Sequence, residues 1–347
     1  MRPLSILILS DERPGHYHLA EGVAAAIGRR TPVTVTRVAI TRRRAAPGRL
    51  LAGALKLGMP AGAVLRGGYR LGNALPAAAD LVISAGGDTL AANVAMARAY
   101  GVANIFCGTL RHLPADAFDL VLSSYARHAG RPRHLVALKP NGIDPDTLPG
   151  ELRGRIFGPG RPPSIVGLLV GGPSGLFRWR DGEWRALADF LVQSNRAHGI
   201  RWIVSTSRRT PDSAADLFVA LAQRTDSAIA DLIDFRTAGP GTLPRLFGGV
   251  EAILATEDSS TMLSEAVCAR LPVVGVAPLD HAFKDEEREY RALLTNEGWC
   301  RNLALAELTP EAFLAALAEV RPLAENHLDR LSTALAERLP GLFRDRV

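Results

Sequence analysis

The sequence predicts an α/β protein built from two doubly wound domains, and three observations carry that reading. Short apolar runs alternate with longer helical patterns, the mark of parallel βα units. Several of those runs end in Gly, Ser or Asp, as loops at the carboxyl edge of a parallel sheet do. Pro/Gly punctuation without hydrophobic periodicity, at 140–145 and 157–163, interrupts the pattern, which then restarts. A chain of 347 residues, 47% hydrophobic and 22% charged, has enough apolar material for two cores and too much for disorder.

In chain order the first strand is 4–10 and the first helix 17–27, followed by a β-branched strand at 33–38. Strands at 81–84, 104–107 and 120–123 complete the first sheet, with an Ala-rich helix at 89–100. The second half repeats the plan, with strands at 165–170, 201–205, 252–255 and 273–276 and helices at 184–198, 211–224 and 261–269. The expected domains are 1–155 and 162–347. The tail 310–338 has amphipathic helical spacing and is expected to pack back onto the first domain.

Charge is unevenly spread. No acidic residue stands between Glu21 and Asp80, whereas ten Lys and Arg do. Arg42-Arg43-Arg44, followed by Leu50, Leu51, Leu55, Leu57 and Met59, suits the headgroup layer of an anionic membrane, so residues 29–70 are expected to meet such a surface. The plainer alternative is a solvated face. Tyr69 is the only aromatic there, so nucleic acid is not expected. Three cysteines, Cys107, Cys268 and Cys300, lie far apart without a Cys-x-x-Cys pair, and the histidines lack ligand spacing; no disulfide framework and no metal are expected. The apolar N-terminal run is too short for a secretory signal, and no stretch reaches the roughly 18 apolar residues of a spanning helix. The expected location is cytoplasmic, or peripheral on the inner face of the membrane.

Four loops carry candidate chemistry. Ser10 to His16 follows the first strand; Gly15 is read as its tight turn, and His16 as either a general base or a solvated side chain. Gly86 and Gly87 follow another strand and are read as lining a cleft, with Asp88 as a helix cap. In the second half, Gly171-Gly172-Pro173-Ser174 lacks both the Lys-Ser/Thr of a P-loop and the third glycine of a dinucleotide fingerprint. Ser207, Arg208 and Arg209 offer a hydroxyl and two guanidiniums beside a helix start, a good phosphate cradle. Asp258, Ser259 and Ser260 open a further helix that carries Glu265 one or two turns in. Its N-terminal hydroxyls and amides suit phosphate, and the carboxylate suits a ribose or sugar diol.

Taken in order, Asp11-Glu12-Arg13-Pro14-Gly15-His16, Gly171-Gly172-Pro173-Ser174, Ser207-Arg208-Arg209-Thr210-Pro211 and Asp258-Ser259-Ser260-Thr261-Met262-Leu263-Ser264-Glu265-Ala266 resemble the bacterial relatives of the plant elongated-mitochondria fission factor. That family is similar to GT-B glycosyltransferases, with two Rossmann-like domains facing across a cleft. The resemblance implies a nucleotide-diphospho-sugar held as substrate by the second domain, through Gly172, Ser174, Ser207, Arg208, Arg209, Asp258, Ser259, Ser260 and Glu265. It further implies an acceptor presented by the first domain near Gly15, Gly86 and Gly87, with His16 as the base and no cofactor or metal. The acceptor would be lipid-linked or an envelope glycan. A non-catalytic adaptor on the same shell and a sugar-nucleotide epimerase are the alternatives, since one fold hosts many functions.

Overall fold

The computed structural model describes residues 2–149 and 155–343; Met1, 150–154 and 344–347, which fall within or between the expected domain spans, lie outside the described residues. The chain forms two compact units, one running to Gly142 and resuming at His327, the other Ile143–Asn326. The division at 142/143 falls within the Pro/Gly punctuation at 140–145, ahead of the expected domain end at 155, and the division at 326/327 cuts the expected second domain.

Contacts explain the shift. Asn326 Nδ2 donates to Asp144 Oδ1 and Asp146 Oδ2, both at 2.8 Å. Pro149 packs where a Cβ on Gly248 would stand, 2.4 Å away. Residues 143–149, read as linker or first domain, thus belong to the second unit.

The first unit holds seven strands: β1 (Leu4–Ser10), β2 (Val33–Arg42), β3 (Tyr69–Leu71), β4 (Leu81–Ala85), β5 (Ala103–Cys107), β6 (Leu120–Ser123) and β7 (His134–Val136). Their order is β3-β2-β1-β4-β5-β6-β7, with all neighbours parallel except β2 and β3. β4 is buried along its whole length, so LVISA reads as a continuous apolar run rather than an alternation. Helices α1 (Pro14–Gly28), α2 (Gly48–Lys56), α3 (Ala61–Gly68) and α4 (Leu90–Tyr100) belong to this unit. The helices α2 and α3 and strand β3 occupy the acid-free basic stretch.

The second unit holds β8 (Ile165–Leu169), β9 (Phe177–Arg178), β10 (Arg201–Ser205), β11 (Ile229–Ile233), β12 (Ala252–Thr256), β13 (Val273–Ala277), β14 (Asp280–His281) and β15 (Cys300–Ala304). Six form a parallel sheet of order β11-β10-β8-β12-β13-β15, while β9 and β14 pair antiparallel beside it. The helices are α5 (Asp181–His198), α6 (Asp212–Ala222), α7 (Phe235–Ala238), α8 (Leu243–Gly248), α9 (Ser260–Cys268), α10 (Asp285–Asn296) and α11 (Pro310–Glu319). Trp184, Trp202, Phe190, Phe218 and Phe313 fill the core on one face of the sheet.

The tail is not one helix. Around Pro322, which lacks an N–H and would break the ladder, it divides into α11 and α12 (His327–Arg338). α12 packs on the first unit, where Leu328, Leu331 and Leu335 are buried with Ala20, Val23, Ala24 and Ile27 of α1. The second expected domain is shortened accordingly. Among the described residues, no helix is long and apolar enough to cross a membrane.

Candidate functional site

In an open parallel sheet, ligands collect at the carboxyl edge where the chain reverses its direction of winding. In the first unit that point lies between β1 and β4, and in the second between β8 and β12. The candidate residues fall at these two places, each within its own unit.

After β1 the chain turns sharply. The left-handed residue is Glu12 (φ 61), not Gly15, which lies in the first turn of α1 beside His16. Ser10 Oγ accepts from the Glu12 N–H at 3.0 Å, and Asp11 Oδ1 from the Arg13 N–H at 3.3 Å. This turn brings Asp11 back onto the helix, so that Asp11 Oδ2 lies 2.8 Å from His16 Nδ1.

Burial of Asp11 would raise its carboxyl pKa. The hydrogen bond and charge of His16, with the Arg13 N–H and guanidinium, outweigh burial and hold it below the ordinary 3.8. An ionised carboxylate only accepts, so Nδ1 is the nitrogen that carries the proton toward Asp11, and Nε2 points away from this pair. Gly86 has φ 89, and a Cβ there would come within 2.3 Å of His16 Nδ1. The glycine lets the ring lie against the β4 loop. Gly87 is exposed in the same loop.

Asp88 is not a cap. Its Oδ1 accepts from Arg42 Nε at 3.0 Å. Thr89 occupies the cap position of α4, and its hydroxyl bonds within the turn to Ser84 Oγ, Ala85 O and Gly86 O.

In the second unit three loops are stitched together. The Gly171 N–H donates to Thr256 Oγ1 at 2.7 Å and the Gly172 N–H to Asp258 Oδ2 at 3.1 Å. A Cβ on Gly171 would fall 2.1 Å from Asp258 Oδ2, and one on Gly172 2.0 Å from the Arg209 carbonyl. These glycines are therefore required by the packing of one loop on another. Thr210 Oγ1 donates to Gly171 O at 2.7 Å and Ser207 Oγ to the same oxygen at 3.2 Å.

The paired arginines divide their tasks. Arg209 Nη2 lies 2.6 Å from Asp258 Oδ2, committed to a carboxylate whose side chain is buried. Arg208 is exposed and makes no ion pair or hydrogen bond among the described residues. Asp258 Oδ1 is buried without a hydrogen-bond partner there.

Ser259 caps α9 by accepting from the Met262 N–H, Ser260 opens the helix, and Glu265 is buried within it. Ser174 stands apart from this cluster. It pairs with Phe177 in a tight hairpin around Gly175 (φ 57), which continues into the β9–β14 ribbon.

Sequence reasoning missed one buried charge group. Arg291 on α10 lies 3.2 Å from Glu257 Oε2 and 2.9 Å from Glu287 Oε2, and donates to the Glu257 carbonyl. Burial pushes the Glu257 carboxyl up, and the charge of Arg291 opposes it. No short spacing marks a pair 34 residues apart. Asp11 as partner of His16 was also missed; its only signal is a carboxylate just before a Pro-Gly helix start. The Cys107 and Cys300 thiols, pushed up to about 12 by burial, are poor nucleophiles.

The two parallel-sheet units, each with its polar loops at the switch point, define a protein of the GT-B-like class. MurG of Acinetobacter baumannii superposes with a TM-score of 0.52 at 13% identity, over 96% of this chain and 100% of that one. The S. aureus MnaA–UDP complex gives 0.53 at 11%, over 99% of each chain. A putative UDP-N-acetylglucosamine 2-epimerase from Listeria monocytogenes gives 0.54 at 11%, over 100% and 99%. At these identities the likeness is one of fold. No curated protein matches the chain. The chain belongs to the family described as Mitochondrial fission ELM1, which matches residues 14–338.

Proposed function

We propose that this protein transfers a glycosyl group from a nucleotide-diphospho-sugar to an acceptor hydroxyl. The observation that carries the reading is the Asp11–His16 pair, 2.8 Å apart, which leaves Nε2 free at the carboxyl edge of a parallel sheet. In the step proposed, the acceptor O–H gives its proton to His16 Nε2 and its oxygen bonds the anomeric carbon. The anomeric C–O bond to the diphosphate breaks, and its electron pair leaves with the phosphate.

Charge then grows on the diphosphate. Arg208 and the N-terminal amides of α9 are assigned to offset it, as preorganised donors do at a developing anion. Glu265 is assigned to the ribose, and Asp258 Oδ1 to a donor hydroxyl. Arg209 is assigned to holding Asp258. The UDP in the MnaA structure, a protein of the same fold, favours a nucleotide in this role.

The acceptor is proposed to be lipid-linked or an envelope glycan, met at an anionic surface by residues 29–70. Leu50, Leu57 and Met59 are 61%, 90% and 47% exposed beside Arg49 and Lys56. Large apolar side chains next to cations suit a headgroup layer. Arg44→Glu with Arg49→Glu is expected to reduce co-sedimentation with anionic liposomes; unchanged binding removes this part of the proposal.

A thermal-shift screen against UDP, GDP, ADP, CMP and their sugar conjugates tests the donor. A ligand at 100 times its dissociation constant adds about 2.7 kcal/mol. A shift lost in Arg208→Ala identifies the donor, and no shift with any nucleotide turns the reading to an adaptor. Formation of an epimer without an acceptor turns it to an epimerase.

A further inference from the structure

The first unit contains a cavity of about 230 Å³ beside the His16 turn, lined by Arg13, Arg42, Arg111 and His112, by Asp88, and by an apolar floor that includes Ala52 and Leu113. Three arginines thus face one carboxylate. That carboxylate is already engaged, with Arg42 Nε at 3.0 Å and Arg13 Nη2 at 3.9 Å. Arg42 also donates to the Ala46 carbonyl at 3.1 Å, so its guanidinium is fixed at the wall.

Arg111 and His112 are exposed and make no ion pair or hydrogen bond among the described residues. Arg111 Cδ passes 4.0 Å from the position of a Cβ on Gly87, at the start of α4, where free N–H groups favour an anion.

We infer that this cavity binds a phosphate group, as a monoester or diphosphate, carried by the molecule whose hydroxyl is presented to His16. Size supports it. The cavity lies below the roughly 300–1,000 Å³ of sites that enclose a whole small molecule, so it fits a phosphate and the first atoms attached to it. Chemistry supports it too, because guanidinium pairs bind phosphate oxygens bidentately. The acceptor role rests on the transfer reading above, whereas the binding itself does not. A soluble compound and a lipid headgroup are the two sources of such a phosphate, and the test separates them.

Inorganic pyrophosphate is titrated calorimetrically into the full chain with saturating UDP present to fill the donor site proposed for the second unit. In parallel, the chain is sedimented with phosphatidylcholine vesicles with and without phosphatidic acid. The variants are Arg111→Ala and, as a control for diffuse surface charge, Arg131→Ala, an exposed arginine of the same unit outside both the cavity lining and residues 29–70.

The expected result is binding that weakens about tenfold in Arg111→Ala and stays within twofold in Arg131→Ala. Pyrophosphate binding assigns a soluble phosphorylated ligand, and a phosphatidic-acid effect without it assigns a lipid phosphate. The inference is overturned if neither phosphate binds, or if the two variants behave alike. Loss of the UDP shift with pyrophosphate binding intact would sink the transfer reading and leave this site standing.

Discussion

Arg209 places Nη2 2.6 Å from Oδ2 of Asp258, the same oxygen that accepts from the Gly172 N–H at 3.1 Å. One carboxylate oxygen thereby joins the loops after β8, β10 and β12. Adjacent arginines are thus separated by task, with Arg209 spent on the framework and Arg208 left over.

Arg209→Ala should destabilise the free protein by about 3 kcal/mol, because it strands a buried carboxylate. Arg208→Ala should leave the melting temperature of the free protein within a degree and abolish the shift with nucleotide. Melting curves of both variants, with and without UDP, check this. Equal effects of the two substitutions would contradict the division.

Asp11→Asn should slow turnover by about 10²–10⁴-fold, since an amide no longer requires the proton to sit on Nδ1. Donor affinity should be unchanged, which separate measurements of kcat and nucleotide binding would show.

The same carboxylate predicts a pH dependence. A carboxyl held below its unfolded value stabilises the fold above that value and loses its contribution as pH falls through the folded one. Asp11 is held below 3.8. The gap in denaturation midpoint between the parent chain and Asp11→Asn should stay level from pH 5 to about 4 and shrink below 3.8. A gap that widens on acidification would have the wrong sign.

Gly86→Ala should move the His16 ring, because its Cβ would overlap Nδ1 and the backbone has φ 89. We expect a loss of about 1–3 kcal/mol together with a drop in turnover. Gly101→Ala, also at positive φ (67) but with no atom within 4 Å of its Cβ, should cost stability alone.

On α12, Arg29 meets Asp329 at 2.6 and 3.0 Å, with the aspartate half exposed. Such a pair adds at most about 1 kcal/mol, so Arg29→Ala should be mild. Leu331→Ala, next to the buried Leu335, should cost about 2–5 kcal/mol. Urea denaturation of both variants ranks them.

Central strands were legible because burial on both faces leaves an uninterrupted apolar run, as in LVISA of β4 and AILAT of β12. Edge strands were not. β11 reads IADLI and β15 CRNLA, with polar residues at positions that meet solvent. The helices α2 and α3 were obscured by Gly and Pro at their ends. The loops that gather the candidate residues were visible as strand-ending polar runs. Which side chain pairs with which was not, because Asp11–His16 depends on a left-handed Glu12 and Arg209–Asp258 on contact between distant loops.

The chain passes out of the first unit at Gly142 and returns to it only at His327. On the ribosome, the unit that begins to form first is therefore the last to be completed. Its α1 surface stays uncovered throughout synthesis of the entire second unit, until α12 emerges. An interrupted or clipped chain would carry a finished second unit beside an unfinished first one.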